Sequence, residues 1–416
     1  MSSSNQDVID QMNDWSLNAT KLIDAETYDD EEIPPRRWKG DELAKAVGIS
    51  TVNRIYMAEK RGQLPSDYRS IRNERGGYDL EMVNKARELF GTLPGRSDGD
   101  DPIVISFTNF KGGCYKTLTT HNTGACAATE GFKVLLVDLD PQASLSLNVG
   151  LRPDVNIAYE DTLAPFLIED QPITPENMKA VIRKTRIPNM DILPASLDLQ
   201  STEWQLAAGL TSSQFRGFSP EEQAQVQLSY FARVDACLSV IRDDYDLILL
   251  DGTPTLGIIP LNIVFASDIV IVPTPTEMVD FASTTTFLRL LSSQFESIYK
   301  RFSDQIIFPE IRFLPTRFGT GTNTVSSMSV LNDFIKPAFG AKVMRNVVRK
   351  HESAIGATNM YRRTMFEVNS GTLPVKKDAR EKCINNYKAV LEEIVFEIIY
   401  PRWPSKKTQL EIMGAI

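Results

Sequence analysis

Phe107-Thr-Asn-Phe-Lys-Gly-Gly-Cys-Tyr-Lys-Thr-Leu118 follows a short apolar run and opens a longer amphipathic one, the setting of a phosphate-binding loop. The preceding Pro102-Ile-Val-Ile-Ser-Phe107 has the length and β-branched content of a buried parallel strand. Gly112 and Gly113 allow a tight turn in which successive backbone N–H groups face an anion. Lys116 falls at the mouth of the next helix, where the dipole already favours phosphate, and Thr117 offers a hydroxyl to Mg²⁺. The run departs from the usual G-x-x-x-x-G-K-[ST] twice. A further lysine, Lys111, stands ahead of the glycines, and Tyr115 fills the place of the last glycine.

Two more strands end on carboxylates. Phe132-Lys-Val-Leu-Leu-Val-Asp-Leu-Asp-Pro-Gln-Ala-Ser144 carries Asp138 and Asp140 at the carboxyl edge of the expected sheet, where open α/β folds bind ligands. Such carboxylates can also simply cap the next helix. Tyr245-Asp-Leu-Ile-Leu-Leu-Asp-Gly-Thr-Pro254 ends on Asp251, a candidate Mg²⁺ holder acting through water. Further strands are expected at Ala266-Ser-Asp-Ile-Val-Ile-Val-Pro-Thr-Pro275 and Ile311-Arg-Phe-Leu-Pro-Thr-Arg317, with Leu256, Gly257 and Asn262 ahead of the first. Residues 151–235 read as mostly helical scaffold.

Outward toward the N-terminus, 91–101 is a Gly/Asp/Pro-rich linker and 40–60 is a helix-turn-helix. Leu43, Ala44 and Val47 line its first helix, Gly48 makes the turn, and Ile49, Val52, Ile55 and Tyr56 line the second. Ser50 is the expected cap, leaving Thr51, Asn53 and Arg54 exposed where side chains reach base edges. Arg69, Arg72 and Arg75, ahead of Gly76-Gly77, would hold phosphates from a wing. A helical hairpin serving only oligomerisation is the other reading. Val8, Met12, Trp15, Ala19 and Leu22 form a short helical seam that needs a partner, its own chain or a second copy. Asp29-Asp-Glu-Glu-Ile-Pro-Pro35 then reads as a linker. The expected organisation is 1–35 helix and linker, 36–96 DNA-binding module, and 102–416 α/β nucleotide-binding domain with C-terminal helices.

A net charge of −9 argues against a protein that coats nucleic acid over its whole surface, but the charge is uneven. Residues 36–96 hold 13 Lys/Arg against 8 Asp/Glu, and 342–382 hold 10 against 4. These are two candidate polyanion contacts, or two solvated faces. Four scattered cysteines and two histidines argue against disulfides or a zinc site. No apolar run approaches the ~18 residues of a membrane span and the N-terminus is polar, so a cytoplasmic location and no membrane partner are expected.

Lys-Gly-Gly-x-x-Lys-Thr with Lys111 resembles the deviant Walker A motif of the ParA/MinD family of dimeric P-loop ATPases, and Asp-x-Asp-Pro-Gln resembles its Walker A′ element. Asp251 matches Walker B, with Thr253 where a proline is usual. The N-terminal module resembles a MerR-like winged helix and points to the long type I partition ATPases of plasmids, or the related RepA proteins. The resemblance implies a P-loop fold with a mostly parallel sheet, ATP and Mg²⁺ as ligands, and a nucleotide site at Lys111, Gly112, Gly113, Cys114, Tyr115, Lys116, Thr117 and Leu118. Thr316 and Arg317 would lie near the adenine. Lys111 would reach a partner's nucleotide, Asp140 would position the attacking water, and Asp138 would stand behind a metal held by Thr117 and Asp251. It further implies a homodimer, slow hydrolysis stimulated by double-stranded DNA and a ParB-type centromere-binding partner, and operator repression. Nonspecific DNA would meet Arg345, Arg349, Lys350, Arg362 and Arg363, giving nucleoid association in the ATP state. An ATP-responsive repressor and a RepA-type copy-control regulator are the alternatives. An iron–sulfur carrier on this fold would need closely spaced cysteines, which the chain lacks.

Overall fold

The computed structural model describes residues 5–26, 33–69, 75–153, 155–211, 218–255, 257–302 and 307–407. Arg72, Leu256 and the acidic part of the first linker lie outside them, as do the side chains of Leu22, Arg69 and Arg75. Helix α1 (Asn5–Glu26) contains the expected seam, and Val8, Met12 and Trp15 on it are exposed.

The next module begins with α2 (Gly40–Val47) and α3 (Asn53–Lys60). Gly48, at φ 73°, closes α2 in the left-handed conformation that glycine adopts at little cost. Leu43, Ala44, Val47 and Ile55 are buried between the helices. Ser50 does not cap α3: the helix starts later, with Val52 at its cap and no side-chain bond there. A hairpin of β1 (Tyr68–Arg69) and β2 (Arg75–Gly77) and then α4 (Leu80–Phe90), capped by Asp79, complete the module.

This module is fastened to the rest of the chain. Arg87 of α4 is buried and donates to Ala46 O, Asn84 Oδ1 and Thr129 O, and Arg36 N donates to Glu367 O. The expected linker 91–101 is pinned too: Arg96 N donates to Asp246 Oδ1 at 3.0 Å, and the buried Asp100 accepts from Ser97 and Ser405. Trp403, fully buried, donates its indole N–H to Asp101 O at 2.8 Å. Truncating that ring would cost about 3–5 kcal/mol.

The α/β domain is built on β3 (Ile103–Phe107), α5 (Lys116–Glu130), β4 (Val134–Leu139) and α6 (Ser144–Asn148). Helices α7 (Ala164–Leu167) and α8 (Pro175–Val181) come next, then β5 (Arg183–Lys184) and β6 (Met190–Leu193). Three further helices are α9 (Asp198–Thr211), α10 (Pro220–Phe231) and α11 (Arg233–Ser239). The run continues with β7 (Leu247–Gly252), α12 (Ile258–Phe265), β8 (Ile269–Pro275), α13 (Met278–Phe302) and β9 (Glu310–Thr316). Helices α14 (Thr324–Val330), α15 (Lys336–Phe339), α16 (Glu352–Tyr361) and α17 (Lys377–Ile394) close it.

The seven strands lie in the order β5-β6-β4-β7-β3-β8-β9, parallel except for β5 against β6. β3, β4, β7 and β8 are buried on every residue, as strands covered on both faces must be. The stretch 151–235 is therefore more than helical scaffold, since β5 and β6 extend the sheet beyond β4. α5 is buried nearly all round, and its small residues let it lie close to the sheet; a side chain on Gly124 would meet Leu136 Cδ2 at 2.7 Å. The register sets Asp251 opposite Phe107 on one side and Asp138 on the other. Three site segments thus converge at one sheet edge.

Candidate functional site

The loop between β3 and α5 turns through Gly113, at φ 74°. Two residues on, Tyr115 takes φ 73° at the start of α5 without a glycine's freedom, a conformation that costs roughly 1–2 kcal/mol for an L-residue. Three non-glycine residues with positive φ flank this edge: Tyr115, Ala143 just beyond Asp140, and Arg317 at the end of β9. Strain of this kind persists where surrounding contacts impose it, often at ligand sites. One such contact is Thr316 Oγ1, which donates to Cys114 O at 3.0 Å.

The two lysines differ in setting. Lys116 is buried, and its Nζ donates to Lys111 O at 3.0 Å across the loop. Lys111 is half-exposed, with Nζ 3.3 Å from Asp280 Oδ1. Asp280 also accepts from Arg317 Nη1 at 2.9 Å, and Glu277 pairs with Arg317 at 3.1 Å and with Lys350 at 2.7 Å. Asp280 and Glu277, at the N-terminal end of α13, escaped the sequence reading. Their only signal was two acids just past a strand end, and nothing local links them to a lysine 169 positions earlier.

Asp251 is fully buried; the Thr120 hydroxyl donates to its Oδ1 and the Thr117 hydroxyl lies near it, yet its Oδ2 has no partner among the described residues. Burial foremost, then the neighbouring Asp138, pushes its carboxyl well above the carboxylate range, against the pull of Thr117 and Lys116. An orphaned carboxylate oxygen beside a hydroxyl is a donor set that a hard cation suits.

Asp138 is different. Its Oδ1 accepts from Asp140 N at 3.2 Å, and its Oδ2 from Ser146 N at 2.8 Å and Ser146 Oγ at 2.7 Å. Burial raises it to about 7. Both oxygens tie β4 to α6, a position compatible with the expected place behind a metal as well as with a cap on α6. Asp140, also buried, accepts from Gln142 N and lines a cleft of about 440 Å³ with Gln142, Glu203, Trp204 and Thr255. Glu203, missed in the sequence, accepts from the N–H groups of Ile258 and Ile259 at the start of α12. Gly112 is exposed and Leu118 buried at either side of the loop.

Among the expected DNA contacts, Thr51 is exposed just before α3 and Asn53 and Arg54 are exposed on it, Arg54 with its guanidinium 4.8 Å from the Phe90 ring centroid. Arg349 is exposed over Phe318, and Arg345 is exposed beside Glu397. Arg363 is a correction: it is 5% exposed, its guanidinium faces Glu367, and burial removes it from any surface contact. Arg362 is half-buried, with its carbonyl accepting from Arg186, and Lys350 is drawn onto Glu277. Among the described residues no helix is long and apolar enough to cross a membrane.

The chain is similar to known proteins along most of its length. A family model described as an AAA domain matches residues 103–307. Protein SopA of Escherichia coli (strain K12) is 31% identical over 400 residues, covering 95% of this chain and 94% of that protein. The sporulation initiation inhibitor protein Soj of Bacillus subtilis (strain 168) is 31% identical over 175 residues, covering 42% of this chain and 58% of its own. A solved structure titled "Partition Protein" superimposes with a TM-score of 0.62 at 20% identity, over 93% of this chain and 98% of that one, a likeness of fold.

Proposed function

The chain belongs to the ParA/MinD family of partition ATPases, and from that premise we propose that it is a slow, DNA-stimulated ATPase that segregates plasmid DNA and represses its own operon. The observation that carries the nucleotide site is the buried Asp251 oxygen without a partner among the described residues, one strand away from a loop bearing Lys116 and Thr117. The loop's backbone N–H groups and Lys116 cradle the phosphates of ATP, and Thr117 with Asp251 holds Mg²⁺. When bound there, Mg²⁺ would offset charge on the phosphate oxygens. Asp140, beside an open cleft, orients and deprotonates the attacking water. Arg317 and Thr316 stand at the base end of the site.

Lys111 leaves Asp280 for the nucleotide of a second copy, which makes the ATP state dimeric, and α1 supplies a further dimer contact through Val8, Met12 and Trp15. Thr51, Asn53 and Arg54 read the operator, with Arg69, Arg72 and Arg75 on phosphates. Arg345 and Arg349 meet nonspecific double-stranded DNA, so the ATP-bound protein sits on the nucleoid. A ParB-type centromere-binding partner accelerates hydrolysis. Titrating a fluorescent ATP analogue with and without Mg²⁺ tests the site: Mg²⁺ should tighten binding to the parent chain and not to Asp251→Asn. Equal tightening in both would remove Asp251 from the metal site.

A further inference from the structure

Helix α12 starts without a capping side chain of its own. Gly257 stands at its N-cap, and the amides of Ile258 and Ile259 belong to the first turn, whose N–H groups have no partner inside a helix. Glu203, on α9 and 55 positions before Ile258, takes both: Ile258 N donates to its Oε1 and Ile259 N to its Oε2, the second at 2.9 Å. A carboxylate there also meets the favourable end of the helix dipole. The approach is close enough to dictate the neighbouring residue. Gly257 is extended, at φ −179°, a backbone any residue adopts, yet a Cβ there would lie 2.2 Å from Glu203 Oε1. The carboxylate, rather than the backbone, calls for glycine.

What this cap holds is one wall of the cleft beside Asp140. β4 pairs with β7 so that Leu139 stands opposite Gly252, and Asp140 and Thr253 leave adjacent strands side by side. Thr253, Pro254 and Thr255 then line the cleft together with Asp140 and Gln142. The chain leaves β7 just after Asp251 and next becomes regular at the two amides that Glu203 grips. Among the described residues the hydrogen bonds of the Glu203 carboxylate go to α12 and none goes to the phosphate loop.

We propose that Glu203 is a positioning residue for hydrolysis: by pinning the start of α12 it fixes Thr253, Pro254 and Thr255 as the wall beside which Asp140 holds the attacking water. It acts through α12 and not through the nucleotide. This rests on reading the site as one that hydrolyses ATP with Asp140 at the water.

The test measures kcat for ATP hydrolysis and the Kd of a fluorescent ATP analogue, per folded molecule, in the parent chain, Glu203→Ala, Glu203→Gln, Gly257→Ala and the double variant that joins Glu203→Ala to Gly257→Ala. Glu203→Ala should lower kcat at least about tenfold, within the roughly 100-fold that a misplacement of about 1 Å can cost, while Kd stays within about twofold. Glu203→Gln keeps one acceptor oxygen for the two amides and should recover part of the loss. Gly257→Ala should slow turnover by driving the carboxylate off the amides, and should add little in the double variant, where no carboxylate is left to displace. If Glu203→Ala melts below the assay temperature, Glu203→Gln and Gly257→Ala carry the comparison, each with kcat lowered and Kd held. Unchanged kcat in these variants overturns the proposal. So does a Kd that rises in step with the fall in kcat, which would make Glu203 part of nucleotide binding. A glutamine variant as slow as the alanine one would show that the charge matters and not the grip on α12, and full additivity in the double variant would separate the glycine from the carboxylate; either overturns it. A parent chain that turns over no ATP, even with DNA, defeats the reading of the site instead, and the positioning role falls with it.

Discussion

The phosphate loop and the basic segment near the C-terminus both drew attention through lysines and arginines, and they fare differently in three dimensions. In the loop, spacing fixes position: Lys116 must open α5 once Gly113 has turned the chain, and Asp251 must end a strand beside β3. In the basic segment only composition spoke, and composition does not say which way a side chain turns. Lys350 is spent on Glu277 and Arg363 is buried against Glu367, while Arg349 stays exposed. A motif defined by spacing predicts a site. A charge count predicts a region, within which burial chooses the residues.

That contrast can be broken or sharpened by substitution. Arg363→Ala should destabilise the fold by about 3 kcal/mol by leaving Glu367 buried without its guanidinium. Urea unfolding would measure it, and DNA affinity per folded molecule should not move. Lys116→Ala should weaken ATP binding about 100-fold, close to 2.7 kcal/mol, while a melting curve stays near that of the parent. Fluorescent-nucleotide titration reads this directly; retained affinity would mean that spacing misled at the loop.

His121, also on α5, offers a pH test. Burial foremost, then nearby Arg186, lowers it to about 3, and neither ring nitrogen has a partner among the described residues. The folded state holds the neutral ring while the unfolded chain takes up a proton below its ordinary value near 6.5. Stability is therefore full above that value and declines as pH falls toward 3, by about 2 kcal/mol at pH 5 from this residue. Comparing the urea midpoints of the parent and His121→Gln at about pH 7 and pH 5 isolates the effect. The smallest change should come from Arg349→Ala: nonspecific DNA affinity down a few-fold and the salt slope reduced by about one, with stability unaltered.

Much of the sheet was legible because β3, β4, β7 and β8 are apolar runs bounded by turn residues. β6 was not, since Met190-Asp-Ile-Leu193 is four residues long and Asp191 interrupts it. That aspartate is acceptable at a strand's start because Tyr245 and Lys184 both bond to it. The linker 91–101 looked loose for a related reason: its glycines and aspartates signal turns, and the sequence cannot show that Asp246 and Ser405 wait to hold them. In the site, the residues that carry the motif could be named in advance, whereas Asp280, Glu277 and Glu203 act on them from distant elements. Asp138 shows the limit within a motif: the sequence sets it two residues before Asp140 but cannot show that Ser146 N and Oγ both bond to it.

The central claim is that this edge hydrolyses ATP in the service of DNA movement. Its most direct test is steady-state ATP hydrolysis by the purified full chain with Mg²⁺, alone, with nonspecific double-stranded DNA, and with DNA plus the centromere-binding protein. Slow turnover that rises with DNA and again with the partner, and that falls at least about 100-fold in Asp140→Ala, is the predicted result. An absence of turnover under all three conditions, with ATP altering only the binding of the protein to its own promoter, would contradict it and mark the chain as an ATP-sensing repressor.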